Sequence, residues 1–461
     1  MRIDSPPTPA DLLDATARLF ELAARKARLI DRTWDVSRGA PVFTVAGQYT
    51  SRGWTEWTQG FQFGSQILAF EDTGEAELLE MARRNTRLFM TPHVTHVGVH
   101  DHGFNNLSTY GQLRRLMREG RIPHDEWELA FYELALKASG AVQAARWSDA
   151  RGDSGQALGY VYSFNGPHSL FIDTMRTLRI LGVAHQLGHY LAGENDRRIN
   201  LLGRSIAHGL TTAKYLVFYG DSGHTYDVRG RTAHEATFNP NDGRFRSRAT
   251  QQGYSPFSTW TRGLAWATLG FAEQIEFLAS LDDADVHSAC GMYKADVLAT
   301  FECAARATCD HYLDDVTASD GIPYWDDGAP GLARMEGWKE RPADPFNDHE
   351  PVDSSAAAIA GQGLIRLGRY LGDDGGRYTQ AGLAVARTLM SPPYLSEDET
   401  HQGLLLHSVY HRPNGWDHVP AGRKVPCGES SLWGDYHLLE LALLIRKLAA
   451  GRYYTFFDTP Q

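Results

Sequence analysis

Apolar residues recur along the chain at the 3.6-residue spacing of a helix, whereas alternating extended runs are scarce. The spacing predicts twelve helices, over residues 9–31, 58–71, 75–90, 102–119, 124–147, 168–187, 195–219, 259–280, 286–314, 353–371, 376–390 and 430–449. Pro9, Pro123 and Pro167 stand at the heads of three of them, where the missing N–H costs nothing. Their character alternates. The odd-numbered helices, such as "DLLDATARLFELAARKARLIDR" and "DEWELAFYELALKASGAVQAARW", carry a polar stripe. The even-numbered ones, such as "GFQFGSQILAF", "TRGLAWATLGFAEQI" and "SSAAAIAGQGLI", are apolar or small nearly all round. A helix without a polar face is normally buried. Exposed and buried helices in strict alternation predict an all-α (α/α)6 barrel, a toroid of six helical hairpins, forming one domain over residues 1–461.

Four long segments interrupt the pattern, at 148–167, 220–258, 315–352 and 391–429, and are rich in Gly, Pro, Asp, His and Trp. Long irregular segments in a compact domain tend to carry function. Each precedes an even-numbered helix, so they are expected to gather at one rim. The unusual residues cluster at the same junctions: Trp54 and Trp57; His100, Asp101 and His102; Asp173; Trp260, Arg262 and Trp266; Asp353; Trp433 and Asp435. An Asp near a helix start is often a cap, and "DSSAAA" at 353–358 has that form. Asp173, in "SFNGPHSLFIDTMRTLRIL", lies several residues beyond Pro167 and is expected inside its helix rather than at the cap. An ionised carboxylate is costly there unless compensated, either by Arg176 or Arg179 or by a chemical role. Two carboxylates on one rim among Trp and Arg form the general pattern of a sugar-cleaving site.

Composition narrows the field further. Hydrophobic and charged fractions of 42% and 22% belong to an ordered globular chain. The net charge of −11, without any long basic run, excludes nucleic acid and acidic membrane surfaces as expected partners. Four cysteines without a C-x-x-C pair fit a reducing compartment. The first residues lack the basic start and apolar run of a signal peptide, and no apolar run approaches the roughly 20 residues of a membrane span. A cytoplasmic protein is expected. Three short motifs carry no weight: "GDSG" at 152–155 lacks a strand-rich context, "HQLGH" at 185–189 has Gln186 where a zinc protease needs Glu, and "GESSLWG" lacks the final Gly of G-x-S-x-G.

The assembled motifs resemble the unsaturated glucuronyl hydrolases, family 88 of the glycoside hydrolases. The resemblance runs from the Trp57 region to "WGDYHLLELAL" and is most specific in H-D-x-G-F at 100–104, F-I-D-T-M at 171–175 and Q-G-Y-(x)5-W-x-R-G-x-A-W at 252–266. It implies the same barrel, and removal of a terminal 4,5-unsaturated uronic acid from lyase-generated oligosaccharides without metal or organic cofactor. It also implies Asp173 as general acid/base and Asp101 as second essential carboxylate. By resemblance His100, His234, Gln252, Arg262 and Trp266 surround the unsaturated sugar, with Trp260, Trp147 and Trp57 as aromatic walls. Apolar burial beside Asp101 is expected to raise the pKa of Asp173, keeping a proton available.

One departure concerns specificity. Where some members carry Ser-x-x-Ser-x-Lys, associated with sulfated sugars, this chain has "HSVYHRPNGWD", keeping Ser408 but placing His411 and Pro413 at the later positions. Arg412, Arg423 and Lys424 are the nearby cations that could compensate. Competing readings are an unsaturated rhamnogalacturonyl hydrolase with related fold and chemistry, an (α/α)6 sugar epimerase, and a non-catalytic helical-repeat binding protein. The last requires a repeat period, and none is found.

Overall fold

The computed structural model describes residues 1–53, 57–152 and 157–458. All twelve expected helices are present: α1 (Leu13–Thr33), α2 (Gln59–Thr73), α3 (Ala76–Phe89), α4 (102–118), α5 (Glu126–Ala145), α6 (174–186), α7 (Leu201–Tyr215), α8 (Thr261–Ala279), α9 (Lys294–His311), α10 (Ser354–Leu371), α11 (Gly376–Leu389) and α12 (Leu432–Ala449). The even-numbered helices contact one another in order, α2 to α4, α6, α8, α10, α12 and back to α2, which closes an inner ring. Each odd-numbered helix packs outside, as α1 does on α2 and α12 and α11 does on α10 and α12.

Small residues set the spacing of the inner ring. A Cβ at Gly103 would stand 2.1 Å from the carbonyl oxygen of Thr177, and one at Gly270 would stand 2.6 Å from the backbone of Met175. Side chains there would force α6 away from both neighbours. The residue types that made the even-numbered helices look featureless are therefore what lets six helices close so tightly.

On the barrel axis, Arg176 of α6 pairs with Glu273 of α8 and, at 2.8 Å, with Glu440 of α12. Arg179 lies 3.4 Å from Glu440, and Arg366 of α10 lies 2.7 Å from Glu276. The C-terminal segment seals the far end of the barrel: Tyr454 donates its hydroxyl to Glu440 at 2.7 Å, and Phe457 packs on Phe277. The expected alternative of Asp173 paired with Arg176 or Arg179 is not adopted, because both arginines are committed to Glu273 and Glu440.

Three boundaries differ from the sequence expectation. Helix α6 begins only at Thr174, since Ser169–Phe171 form a strand paired with residues 235–237. Asp173 thus occupies the cap position, where its side chain makes no capping hydrogen bond. The apolar run "SLFI" satisfies either structure locally, and its strand partner lies more than sixty residues away. Residues 190–200 form a hairpin rather than the start of α7, turning through Asn195 and Asp196 at positive φ. The expected helix 286–314 is divided by Gly291 (φ +73°), with a separate helix at Asp283–Cys290.

The long segments meet at one rim, through the sheet of Ser169–Phe171, Glu235–Phe238 and Phe245–Ala249 and through isolated bridges such as Trp260 with Asp326 and Leu406 with Ser430. Among the described residues, no helix is long and apolar enough to cross a membrane. Trp54 lies outside the described residues, as does most of the "GDSG" motif.

Arg176→Met leaves Glu273 and Glu440 short of a buried partner, and it is expected to lower the unfolding free energy by about 3–5 kcal/mol. Urea unfolding followed by circular dichroism measures this loss, and a decrease below about 1 kcal/mol would make the network dispensable.

Candidate active site

Inner-helix N-termini point into the loop-covered rim, and a pocket opens there. Its lining includes Trp57, His100, Asp101, Asp173, Gln252, Trp260, Arg262 and Trp266. Eight of the ten residues expected from the sequence are thus brought together.

Asp101 stands at the N-terminus of α4. Its carbonyl oxygen accepts from the amides of Phe104 and Asn105, but its carboxylate makes no capping bond. The flanking histidines divide their work. His102 is turned away, with its ring nitrogens on Ser139 and the carbonyl of His96, and burial holds its pKa down at about 3. His100 faces inward. Its Nε2 lies 3.1 Å from Oδ1 of Asp173 and 3.8 Å from Oδ1 of Asp101, so one ring nitrogen sits beside both carboxylates.

The electrostatics reverse the sequence expectation. Burial alone would raise Asp173, but His100, His234 and Arg262 overcome it and leave its pKa below the ordinary value. Asp101 behaves as Asp173 was expected to: burial, reinforced by the charge of Asp173, raises it to about 6. For His100 burial works downward, yet the two carboxylates prevail and raise it. The sequence placed Asp173 among apolar neighbours and could not show which donors the fold would bring to it.

Arg262 is fully buried between the rings of Trp260 and Trp433, 4.6 and 4.9 Å from their centroids. Its terminal nitrogens donate to Asp353 (3.0 Å), Gln252 Oε1 (2.9 Å) and the carbonyls of Val409 and Tyr410. It therefore ties three pocket-forming segments together while projecting positive charge toward Asp173. Asp353 does cap α10, accepting from the amides of Ser355 and Ala356, and holds Arg262 besides.

His234 lies behind the wall rather than on it. Its Nδ1 accepts the amide of Gln251 and its ring packs on Phe171 and Trp260, with burial lowering its pKa to about 4. Trp147 is not brought to the pocket: its ring lies under Arg204, with its indole nitrogen on Asp149. Trp57 lines the pocket from a stack on Trp433, 4.9 Å between centroids. Asp435 is structural, accepting from Tyr49 and the amides of Leu404 and Leu405.

Phe104, which the sequence offered only as the last residue of H-D-x-G-F, lines the pocket, and so do five residues not singled out: Phe164, Gln251, Tyr410, Asn414 and Trp416. His411, noted only as a departure from the Ser-x-x-Ser-x-Lys pattern, also lines the pocket, whereas Ser408 is buried against Ser354. Arg412, Arg423 and Lys424 are not among the lining residues, and Lys424 pairs with Asp348. The one available signal for this wall was the Trp, Pro and Gly content of 391–429. Among the described residues, no group of three His, Cys, Asp or Glu side chains could hold a metal ion.

No protein-family model matches the chain. An unsaturated glucuronyl hydrolase of Bacillus sp. strain GL1 is 27% identical over 452 residues, covering 96% of this chain and 97% of that one. Over nearly its whole length the chain is similar to that unsaturated glucuronyl hydrolase. A protein of Streptococcus pyogenes serotype M1 named unsaturated chondroitin disaccharide hydrolase is 26% identical over 412 residues, covering 88% of this chain and 84% of that one. The solved unsaturated glucuronyl hydrolase of Bacillus sp. GL1 superposes with a TM-score of 0.65 at 24% identity, over 93% of this chain and 95% of that one. One described as specific for heparin gives 0.68 at 20% identity, over 95% and 98%. These two structures carry the fold alone.

The raised pKa of Asp101 has a sign that can be checked. The folded state binds its proton more tightly than the unfolded state, so the contribution of this group is held at low pH and lost as pH rises through about 6. Asp101→Asn is expected to stabilise the fold by about 1–3 kcal/mol near pH 8 and to change little near pH 3.5. Thermal melts of both proteins across that range test it, and a destabilised variant at high pH would refute it.

Proposed function

We propose that the whole chain acts as one catalytic domain that removes a terminal 4,5-unsaturated uronic acid from oligosaccharides by hydrating its C4=C5 bond. The observation that carries this reading is the placement of Asp101 and Asp173 around His100 in a tryptophan-walled pocket. The relationship to proteins named unsaturated glucuronyl hydrolase supports it.

The residue types suit the chemistry. In the vinyl ether C4=C5–O5, protonation at C4 places positive charge at C5, shared with the ring oxygen. Water then adds at C5 and surrenders a proton, and the hemiketal opens to release the remaining sugar. The reaction needs one proton given and one taken near neutral pH, which two carboxyl groups with separated affinities can provide. Carboxylates close to the developing charge also stabilise it. The sugar ring would lie against Trp57, Trp260 and Trp266, and its carboxylate would approach the side where Gln252 and Arg262 stand.

Incubation with unsaturated disaccharides of glycosaminoglycan, ulvan and gellan type is expected to abolish the ultraviolet absorbance of the C4=C5 bond for at least one of them. Asp173→Asn is expected to slow this by about a hundred- to ten-thousand-fold while folding normally. Unchanged absorbance across the panel would favour an epimerase or a binding protein, and a preference for a rhamnose-linked substrate would favour the rhamnogalacturonyl activity.

A further inference from the structure

An outer-ring helix is expected to face water with charge, and α1 does so through Asp14, Arg18, Glu21, Arg25 and Arg32. Helix α5 does not. Its outward face carries Trp127, Phe131, Leu134, Ala138, Ala141 and Ala145. Trp127 is 71% and Leu134 65% exposed, Ala145 is exposed, and the other three are half-buried. The polar stripe read from the sequence is drawn sideways instead. Glu128 pairs with Arg83 of α3 at 3.2 Å, and Glu133 pairs with Arg114 of α4 at 3.0 Å. Trp127 and Phe131 stack nearly parallel, 5.7 Å between centroids and 6° between planes, which presents two large rings as one rigid surface.

The stripe itself indicates what covers it. Its members are spaced by four, three, four, three and four residues. That spacing is the period at which one helix keeps a continuous seam toward another. Bulk is graded along the seam, with Trp, Phe and Leu in the N-terminal half and three alanines in the C-terminal half. A second α5 running antiparallel, about a two-fold axis level with Leu136, sets Trp127 against Ala145, Phe131 against Ala141 and Leu134 against Ala138. Every layer then joins one large side chain to one small one. A parallel pair would crowd Trp127 on Trp127 and leave the alanine end unfilled. Lys137, beside the stripe, comes level to within about 3 Å of Glu133 of the second copy, so opposite charges meet on that flank.

We infer that α5 is a self-association surface, through which two copies of the chain pair antiparallel about a two-fold axis, each seating Trp127, Phe131 and Leu134 on Ala145, Ala141 and Ala138 of the other.

Such a contact is isologous and closes on itself. Covering the stripe on both copies removes on the order of 1,000 Å² from water, the lower end for a specific interface, so association is expected in the micromolar range. Because the helices run antiparallel, the two rims face opposite ways and both pockets stay open. The inference is therefore independent of the proposed reaction.

Sedimentation velocity of the full chain between about 1 and 200 µM is expected to show a reversible passage from one-chain to two-chain mass. Leu134→Glu places an unpaired charge in two layers and is expected to weaken association by about a hundredfold or more without loss of helical circular dichroism. Trp127→Ala, the second variant, is expected to weaken it by about tenfold or more. Register is read separately. Phe131→Cys and Ala141→Cys proteins, each also carrying Cys290→Ser and Cys303→Ser, are expected to cross-link on oxidation when mixed and not when either is oxidised alone. Monomer at every concentration would overturn the inference. So would a dimer that both Leu134→Glu and Trp127→Ala leave intact, or Ala141→Cys protein that cross-links with itself, the mark of parallel pairing. A monomer that co-sediments with phosphatidylcholine vesicles would assign the stripe to a lipid surface and overturn it as well.

Discussion

Arg176 is fully buried on the barrel axis, and its guanidinium is shared between Glu273 and Glu440. A charge in that position is tolerated only because two acidic groups from two other inner helices are delivered to it. The pairing fixes α6 against α8 and α12, while Gly103 and Gly270 let α6 approach α4 and α8 to backbone distance. Asp173 stands one turn above Arg176 on the same helix. Its location in the pocket is a consequence of where Arg176 must sit.

This arrangement also separates two electrostatic regimes within about one helical turn. Below, arginine and glutamate alternate and neutralise one another, with the hydroxyls of Tyr436 on α12 and of Tyr453 and Tyr454 in the C-terminal segment completing the network. Above, two carboxyls share one histidine; Arg146 acts on Asp101, and His234 and Arg262 act on Asp173, but only Asp173 has the histidine nitrogen within hydrogen-bond distance. That asymmetry lowers Asp173 and leaves Asp101 raised. Two chemically identical side chains are thereby made different, which acid–base chemistry at a single pH requires.

Arg262 links the two halves of the rim. Its residue type and its place in W-x-R-G suggested contact with an anionic sugar, yet its terminal nitrogens are occupied by Asp353, Gln252 and the carbonyls of 409 and 410. It orders the loop that supplies Tyr410, His411 and Trp416, and its charge reaches Asp173 through space. Its structural and electrostatic parts are inseparable because both follow from the same buried guanidinium.

The alternation of polar-striped and apolar helices was sufficient to define the barrel, because burial of a helix face is written directly in side-chain polarity every three to four residues. The rim position of Asp101 and Asp173 was legible for the same reason, since long loops can enter the inner helices only at one end. Local sequence could not reveal that "SLF" at 169–171 pairs as a strand, that Trp147 turns outward beneath Arg204, or that Tyr410 to Trp416 form a pocket wall. Those outcomes depend on partners more than fifty residues distant. The charge states depend on the same long-range partners: polarity along the chain identified two acids worth explaining, but only the folded arrangement of His100, His234 and Arg262 decided which of them rests ionised, since Coulomb interactions act through space.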